Sequence, residues 1–257
     1  MRSYPDDVDE RELIAALTGA WTLDVKALAY VPEGGGGYHW SGETHDGRRW
    51  FLTVDDLGVK PWLGHQPDEV FASLAGAFNV ALALQEQVGC EFVVAPIRTR
   101  SASSLHRLSA RYSLAVFPFV DGQPREWGTP FAGAERTRLL RLLAGLHRAT
   151  PKVEAHAARR GRQLPGRIHL EAALDQLDRP WRGGPFGEPA RAALASKADV
   201  VRVWLSTFDD LSAEVHRLGR ALVVTHGEPH PANFIRSGPD MFLIDWDTVG
   251  PAHSSPP

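Results

Sequence analysis

Residues 225–248 read THGEPHPANFIRSGPDMFLIDWDT, and this stretch decides the fold. Polar residues and prolines crowd here against a strand-like apolar run, as in functional loops held in place by a buried element. Asn233 and Asp245 each lie where such a loop meets a strand. An amide oxygen and a carboxylate together suit Mg²⁺ that is shared with nucleotide phosphates. The same pattern also allows Asn233 to cap a turn and Asp245 to cap the next segment.

The chain before residue 118 alternates short strands with two helices. Apolar spacing predicts a short amphipathic helix in ELIAALTGAW and a longer one over Asp68–Gln87. Asp46-Gly47 predicts a hairpin turn. Strands are predicted at Ala27–Tyr30, Tyr38–Thr44 and Trp50–Val54, and in EFVVAPI and RYSLAVFPF. Together these elements predict a small unit with a mainly antiparallel sheet.

The chain after residue 122 has a helical character. RTRLLRLLAGLHRAT and HLEAALDQL predict helices, and ARAALASKADVVRVWLSTFDDLSAEVHRL predicts one long helix. The runs ALVVT and MFLID flank the opening stretch, and we expect them to pair as a hairpin. The sequence therefore predicts an α+β protein of two lobes: residues 1–117, a hinge at 118–122, and a helical lobe over 123–257.

Composition narrows the class of protein. The chain has 257 residues, 43% of them hydrophobic and 23% charged, which is typical of a soluble globular protein. A net charge of −3 gives no support for nucleic-acid or membrane binding as the main task. A single cysteine, Cys90, and no recognisable signal peptide or membrane-spanning run predict a cytoplasmic location. The oligomeric state is not predictable.

The opening stretch resembles the aminoglycoside phosphotransferase family, which is related to choline kinase and the protein kinases. HGEPHPAN resembles the family's H-G-D-x-x-x-x-N loop, and LIDWDTVGPA resembles the metal-binding segment that follows it. FPFVDG and GLHRAT also have counterparts in the branch of spectinomycin-type actinobacterial phosphotransferases. The resemblance covers about Leu13 to Ala252 and implies a protein-kinase-like fold with a sheet-rich N-terminal lobe. The chain ends at GPAHSSPP, which predicts a disordered tail and a shortened C-terminal lobe.

The resemblance also implies site residues. Asn233 and Asp245 would be Mg²⁺ ligands, and Glu228 falls where the family has its catalytic aspartate. A carboxylate there orients the acceptor hydroxyl and takes its proton. Glutamate has one extra methylene, so its oxygens lie about a bond length further out, and misplacement of ~1 Å can cost roughly a hundredfold in rate.

The nucleotide side of the site departs further from the family. PEGGGG, with Gly35 and Gly36, lies where the nucleotide-covering hairpin is expected, although it can also be a flexible hairpin tip. Thr53 stands where the family has a lysine that contacts the α- and β-phosphates. The following helix lacks a matching glutamate, and the sequence does not show whether Lys60 or an arginine substitutes.

The segment AVFPFVDG suits a linker that binds a purine through its backbone. Pro118 offers only a carbonyl and Val120 offers an N–H, although an ordinary crossover between lobes fits equally. On the long predicted helix, Asp209, Asp210 and Glu214 either face a cationic acceptor or form a solvated surface.

The leading hypothesis is an ATP- or GTP-dependent O-phosphotransferase acting on a small hydroxylated molecule, such as an aminoglycoside or aminocyclitol, with a role in antibiotic resistance among the functions the resemblance implies. The alternative is a catalytically degenerate kinase-like protein that binds a nucleotide or ligand, which Thr53, Glu228 and the short C-terminus favour. A zinc hydrolase built on His226, Glu228 and His230 is a third reading. It is disfavoured because Pro229 and Pro231 oppose the helix that would bring both rings to one face. His226 is instead expected to anchor the loop by hydrogen-bonding backbone carbonyls.

Overall fold

The computed structural model describes residues 3–157, 164, 166–219 and 221–253. These residues fall into two compact units. One lies within residues 1–159 and 223–252, and the other within residues 160–222 together with His253. Among the described residues, no helix combines the length and apolar character needed to cross a membrane.

The first unit begins with the predicted amphipathic helix. Helix α1 spans Glu10–Ala16, and the carboxylate of Asp9 caps it by accepting a hydrogen bond of 2.8 Å from the Arg11 N–H. A π-helical turn, Leu17–Trp21, continues the same apolar face. Leu13 and Leu17 are fully buried in the core beneath the sheet.

A five-stranded antiparallel sheet follows, as predicted. Its strands are β1 Val25–Val31, β2 Tyr38–Thr44, β3 Arg49–Asp56, β4 His106–Arg107 and β5 Tyr112–Pro118, in the order β1-β2-β3-β5-β4. Gly47, at a φ of 81°, completes the predicted hairpin turn between β2 and β3. The register places Thr53 on β3 opposite His39 on β2 and Ala115 on β5.

Helix α2, Pro67–Glu86, packs against the sheet through apolar residues at helical spacing, including Leu74, Phe78 and Ala81. Its two glutamates are used locally. The Glu69 carboxylate accepts hydrogen bonds from the backbone of the helix start, and Glu86 pairs with Arg98 at 2.8 Å. Neither is therefore placed to pair with a lysine on β3.

The prediction of a strand in EFVVAPI is wrong. Only Val93 forms a β-bridge, a parallel one with Leu243. Two backbone hydrogen bonds, Val94 N to Leu243 O at 3.1 Å and Leu243 N to Phe92 O at 2.7 Å, hold the segment at that point. A short apolar run is buried whether or not it joins a ladder, so its pattern does not separate the two cases.

The rest of the first unit contains two helices and two small sheets. They comprise α3 Gly133–Arg148, α4 Thr150–Val153, β6 Gln123–Pro124, β7 Leu222–Thr225, β8 Phe234–Ser237, β9 Asp240–Leu243 and β10 Gly250–His253. Three of these strands form a sheet in the order β6-β8-β9, and β7 lies beside β10. β7 and β10 each extend by one residue beyond the first unit.

Two predictions about these strands are wrong. ALVVT and MFLID do not pair with each other, because FIRS supplies β8 and forms a tight hairpin with β9 across Gly238-Pro239. In the predicted disordered tail, Gly250–His253 is a strand whose Gly250 carbonyl accepts a hydrogen bond from the Thr225 hydroxyl at 3.1 Å. Residues 254–257 lie outside the described part of the chain.

The second unit contains α5 Arg167–Leu174, α6 Gly187–Ala195 and α7 Ala198–Arg217. One long helix was predicted where α6 and α7 stand. The Ser196 hydroxyl donates to the Ala193 carbonyl at 2.8 Å, a local side-chain bond that accompanies the end of α6. Arg167 binds Asp209 through two hydrogen bonds of 2.5 and 2.8 Å, so this acidic residue of α7 already has a cationic partner.

Candidate active site

The hairpin of β8 and β9 brings Asn233 and Asp245 to the same end. Asn233 closes a 3₁₀ turn, Pro231–Asn233, directly before β8, and Asp245 follows β9 by two residues. A hydrogen bond of 3.0 Å from the Ile244 N–H to the Asn233 carbonyl extends the hairpin ladder to these positions. Asn233 is buried, and its amide N–H donates to the Glu228 carbonyl at 2.9 Å. This assignment leaves the amide oxygen of Asn233 as an acceptor.

His226 anchors the loop, as the sequence predicted. Its Nε2 donates to the Ile244 carbonyl at 2.8 Å, and its ring packs edge-on against Trp246 with centroids 4.7 Å apart. Burial lowers the pKa of His226 to about 4, so the ring is neutral at physiological pH. The ring of His230 instead contacts Trp127, at a centroid distance of 4.2 Å. Thus each of the two histidines of the zinc reading has a packing partner of its own.

Gly227 is required by the close approach of two loops. Its φ is 93°, and a Cβ at this position would lie 2.6 Å from the Thr248 carbonyl oxygen and 2.7 Å from the Thr248 hydroxyl. A side chain here would therefore be strained in its backbone and would also push the loop away from the segment after β9.

We expect Gly227→Ala to lower the free energy of unfolding by about 2–4 kcal/mol, since backbone strain and a backbone clash act together. Gly238→Ala is the matched control, because Gly238 also has a positive φ, of 56°, but open space around it. The control should cost only about 1–2 kcal/mol. Urea denaturation of both variants compares them, and equal losses would show that the Thr248 contact contributes nothing.

Glu228 stands at the surface of the loop. Its side chain is 56% exposed, with Oε2 3.9 Å from His230 Nε2. Its backbone carbonyl accepts from the Asn233 amide and from the His230 N–H at 2.8 Å. The backbone of Glu228 is thus fixed while its carboxylate can reach a ligand.

Asp245 adopts a strained conformation in a negatively charged neighbourhood. Its φ is 64°, in the left-handed region that non-glycine residues rarely adopt, and such strain concentrates at functional sites. Partial burial is the main cause that raises the pKa of Asp245 well above its usual range, and the negative charge of Asp247 is the second. Part of the side chain stays exposed. Asp55 and Glu228 act in the same direction, and Lys60 opposes them.

Lys60 brings a buried cation to this neighbourhood. Its Nζ lies 2.9 Å from Asp55 Oδ1 on β3 and 2.9 Å from Asp247 Oδ2, and the side chain is only 2% exposed. Burial disfavours the charged form, but the two carboxylates outweigh it and raise the pKa of Lys60 above its usual value. The ammonium is therefore charged and tied both to the sheet and to the segment after β9.

The four glycines 34–37, called the glycine loop below, lie over β2 and β3. A Cβ on Gly36 would lie 3.3 Å from Lys60 Nζ, whereas one on Gly35 would meet nothing within 4 Å. A Cβ on Gly37 would lie 3.1 Å from Thr53 Cγ2 and 3.3 Å from Asp55 Oδ1. A side chain at Gly36 or Gly37 would therefore crowd Lys60 and β3, whereas one at Gly35 has open space.

Thr53 replaces the lysine expected on β3 and makes a different contact. Its hydroxyl lies 3.3 Å from Nδ1 of His39, whose ring stacks on Phe51 at 5.2 Å. Burial lowers the pKa of His39 to about 4, with the nearby charge of Lys60 contributing, so His39 is neutral. Thr53 adds a hydroxyl to this surface and no charge.

The candidate hinge is held by Arg49 on β3. Its guanidinium lies 3.6 Å from the ring centre of Phe119 and donates to Asp121 Oδ1 at 2.5 Å. The Phe119 N–H donates to the Arg49 carbonyl, so Arg49 and Phe119 form a hydrogen-bonded pair. The neighbouring pair, Trp50 and Pro118, is therefore of the non-hydrogen-bonded type. In an antiparallel ladder the carbonyl of such a residue points away from its partner strand, so that of Pro118 points away from β3. Val120 follows the strand and is half-buried.

A family model described as the phosphotransferase enzyme family matches residues 40–254. The chain belongs to this family. The matched range contains the loop of Glu228 and Asn233, the segment of Asp245, and Lys60. A search of curated proteins gave no match.

Solved structures of phosphotransferases share the fold. Spectinomycin phosphotransferase APH(9)-Ia in complex with ADP and spectinomycin has a TM-score of 0.66 and 14% identity, over 96% of this chain and 71% of that chain. Amicoumacin kinase hAmiN in complex with AMP-PNP, Ca²⁺ and Ami has a TM-score of 0.55 and 14% identity, over 96% of this chain and 66% of that chain. An aminoglycoside phosphotransferase from Alicyclobacillus acidocaldarius has a TM-score of 0.53 and 18% identity, over 98% of this chain and 69% of that chain. This phosphotransferase-family protein therefore has the predicted α+β, protein-kinase-like fold.

The charge balance of this family member's site fits a divalent cation. Three carboxylates, of Asp55, Glu228 and Asp247, act on the carboxylate of Asp245 here, and the ammonium of Lys60 opposes them. The amide oxygen of Asn233 adds a neutral oxygen ligand of the kind Mg²⁺ accepts. Among the described residues, no three His, Cys, Asp or Glu side chains form a ready metal site, so a divalent cation here would need phosphate and water oxygens to complete its coordination.

Sequence reasoning missed Asp55 and Asp247 and left the role of Lys60 open. Both aspartates were visible in VDDLGVK and IDWDT, next to the expected site segments. The signal that identifies them is an acid near the end of β3 and another in the turn after β9, both within reach of a lysine from the loop that follows β3. The fold of the phosphotransferase family brings these segments together from 187 residues apart.

Proposed function

We propose that this protein is an ATP- or GTP-dependent O-phosphotransferase of small hydroxylated molecules. The observation that carries this proposal is the convergence of Asn233, Asp245 and Glu228 at one end of the β8–β9 hairpin. The Asn233 amide N–H donates to the Glu228 carbonyl, and the Ile244 N–H, next to Asp245, donates to the Asn233 carbonyl. These bonds let one piece of backbone present an amide, the carboxylate of Asp245 and the exposed carboxylate of Glu228. Membership of the phosphotransferase enzyme family agrees with this chemistry.

The nucleotide is proposed to lie between the glycine loop and the hinge. Backbone N–H groups around Gly35 and Gly36 face its phosphates, and Thr53 lines the same surface of the sheet. The carbonyl of Pro118 and the N–H of Val120 pair with the polar edge of the purine. In this proposal residues 118–122 form the hinge between lobes of residues 1–117 and 123–257.

Asn233 and Asp245 would hold Mg²⁺ together with phosphate oxygens. When bound, Mg²⁺ neutralises the charge that builds up on the transferred phosphoryl group. Glu228 orients the acceptor hydroxyl and accepts its proton as the acceptor oxygen bonds to the γ-phosphorus. The bond between the γ-phosphorus and the β–γ bridging oxygen breaks, and the nucleoside diphosphate leaves with that oxygen.

The acceptor is proposed to be an aminoglycoside, an aminocyclitol or a related hydroxylated antibiotic. Three proteins with the same fold are named for antibiotics of this kind: a spectinomycin phosphotransferase, an amicoumacin kinase and an aminoglycoside phosphotransferase. The proposed location is the cytoplasm, where modification of such a compound would confer resistance. The exposed carboxylate of Glu228 contributes one negative charge toward a cationic acceptor.

A degenerate, nucleotide-binding relative is the second candidate. Thr53 favours it, because the cation expected on β3 is absent and the hydroxyl of Thr53 faces His39 instead. It predicts nucleotide binding that is weak or independent of metal, with no release of ADP or GDP for any acceptor.

Thermal unfolding with ATP or GTP, each with and without Mg²⁺, tests the proposal first. Ligand at a hundred times its Kd adds about 2.7 kcal/mol, which for a chain of this size shifts Tm by roughly 5–11 °C. We expect a Mg²⁺-dependent shift, followed by acceptor-dependent release of nucleoside diphosphate in a panel of aminoglycosides and aminocyclitols. The absence of a shift with either nucleotide would contradict the proposed function. A shift without product for any acceptor would favour the degenerate alternative.

A further inference from the structure

Lys60 is a buried ammonium with two acidic partners from distant parts of the chain. Asp55 comes from β3 and Asp247 from the segment after β9, each at 2.9 Å from Nζ. A buried charge is costly unless it is paired, and pairing to two acids keeps the ammonium charged. An ammonium has three N–H donors, so one donor remains after these two contacts.

The surroundings of this ammonium place it under the glycine loop. Gly36 lies directly over Nζ, with a virtual Cβ distance of 3.3 Å, and Gly37 lies over Asp55 Oδ1 at the same distance. Asp55 and Thr53 are two residues apart on β3, so their side chains share one face of the sheet. The ammonium therefore lies on the same face of the sheet that a lysine at position 53 would occupy.

The charge balance separates a binding role from a purely structural ion pair. One acid is enough to balance one ammonium, but here two carboxylates, of Asp55 and Asp247, each lie 2.9 Å from Lys60 Nζ. Within the described part of the chain, Asp55 Oδ2 is buried with no hydrogen-bond partner. The cluster has surplus negative charge and a buried oxygen without a donor, so its bonding is incomplete as it stands.

We infer that Lys60 is the phosphate-binding cation of this protein and that Asp55 positions it. This inference rests on the proposed function. In this arrangement the nucleotide phosphates take the remaining donor of Lys60 and compete for the one given to Asp247. Asp55 keeps its contact and holds Nζ beneath the glycine loop. The lysine and its acid are thus exchanged relative to the expected pattern, with the acid on β3 and the lysine on the loop that follows.

The test compares binding of ATP and of adenosine, which lacks phosphates, by isothermal titration calorimetry. Lys60→Met should weaken ATP binding by about 10- to 100-fold, as expected for a lost charge-assisted hydrogen bond to phosphate. Its adenosine affinity should change less than about twofold, because no contact to the base or ribose is altered. The matched control is Lys26→Met, which removes an exposed lysine paired with Glu43 on the same sheet and should leave both affinities unchanged.

Two double variants keep the test decisive if Lys60→Met folds poorly. Lys60→Met with Asp55→Asn also removes the unpaired buried charge, so this protein should fold and still show the selective loss of ATP affinity. Lys60→Met with Thr53→Lys returns an ammonium from β3 and should recover most of that affinity. A folded Lys60→Met or Lys60→Met/Asp55→Asn protein with wild-type ATP affinity would overturn the inference alone. Failure of the wild-type protein to bind ATP or GTP would instead overturn the proposed function.

Discussion

Asp245→Ala is expected to lower kcat for phosphate transfer by on the order of a thousandfold, similar to other losses of a group that stabilises transition-state charge. Asp245 is the carboxylate of the proposed Mg²⁺ pair, and its strained backbone and raised pKa both indicate a site built for a cation. Without it, only Asn233 and the phosphates would hold the ion. The Mg²⁺-dependent part of the thermal shift with ATP should disappear in the same variant.

The control for this prediction is Asp240→Ala. Asp240 is an exposed acid at the other end of β9, 3.5 Å from Arg138, and its removal should leave kcat within about twofold of wild type. Steady-state release of nucleoside diphosphate measures both variants, with circular dichroism as the check of folding. Turnover by Asp245→Ala equal to that of Asp240→Ala would rule out Asp245 as a metal ligand.

Glu228→Gln is expected to lower kcat by about 100-fold or more, the usual contribution of a positioned general base. The amide preserves the size and the backbone hydrogen bonds of Glu228, including the one that fixes Asn233. It can no longer accept the proton of the acceptor hydroxyl. KM for the nucleotide should remain nearly unchanged, because the side chain is proposed to touch the acceptor and not the nucleotide.

Glu228→Asp is the matched variant, because it keeps the charge and shortens the reach by one methylene. We expect it to retain far more activity than Glu228→Gln. The two are compared by kcat and KM at saturating nucleotide with the acceptor varied. Equal activity of wild type and Glu228→Gln would contradict a base role for Glu228 and would favour catalysis by positioning and metal alone.

Local sequence patterns predicted most of the sheet and the main helix of the first unit. Apolar residues and turn chemistry located β1, β2, β3 and β5, since each of them contributes buried residues to the core. The fold class came from the loop motifs and the family resemblance. The loop anchor role of His226 was also predicted, because Pro229 and Pro231 oppose the helix that a zinc site with His230 would need.

The errors arise where pairing cannot be read from a local pattern. FIRS was missed although its partner strand β9 begins three residues after it, because its four residues carry two polar side chains and no long apolar run. EFVVAPI was wrongly assigned as a strand, because its β-bridge depends on Leu243, which is distant in sequence. The same holds for the Lys60 cluster, which depends on a contact between β3, the following loop and the segment after β9. Local patterns report burial and turns, whereas pairing is decided by the fold as a whole.

The position of Lys60 also bears on how this kind of site can change during evolution. In the inferred arrangement, a lysine on β3 and a lysine on the following loop can each place an ammonium beside the same carboxylates. The lysine can therefore change its position in the sequence through an intermediate protein that has both lysines. The surplus of acids described above would tolerate the second ammonium during such a passage. A family member without a lysine on β3 should then not be classed as inactive on that ground alone, because a lysine on the following loop can supply the same charge.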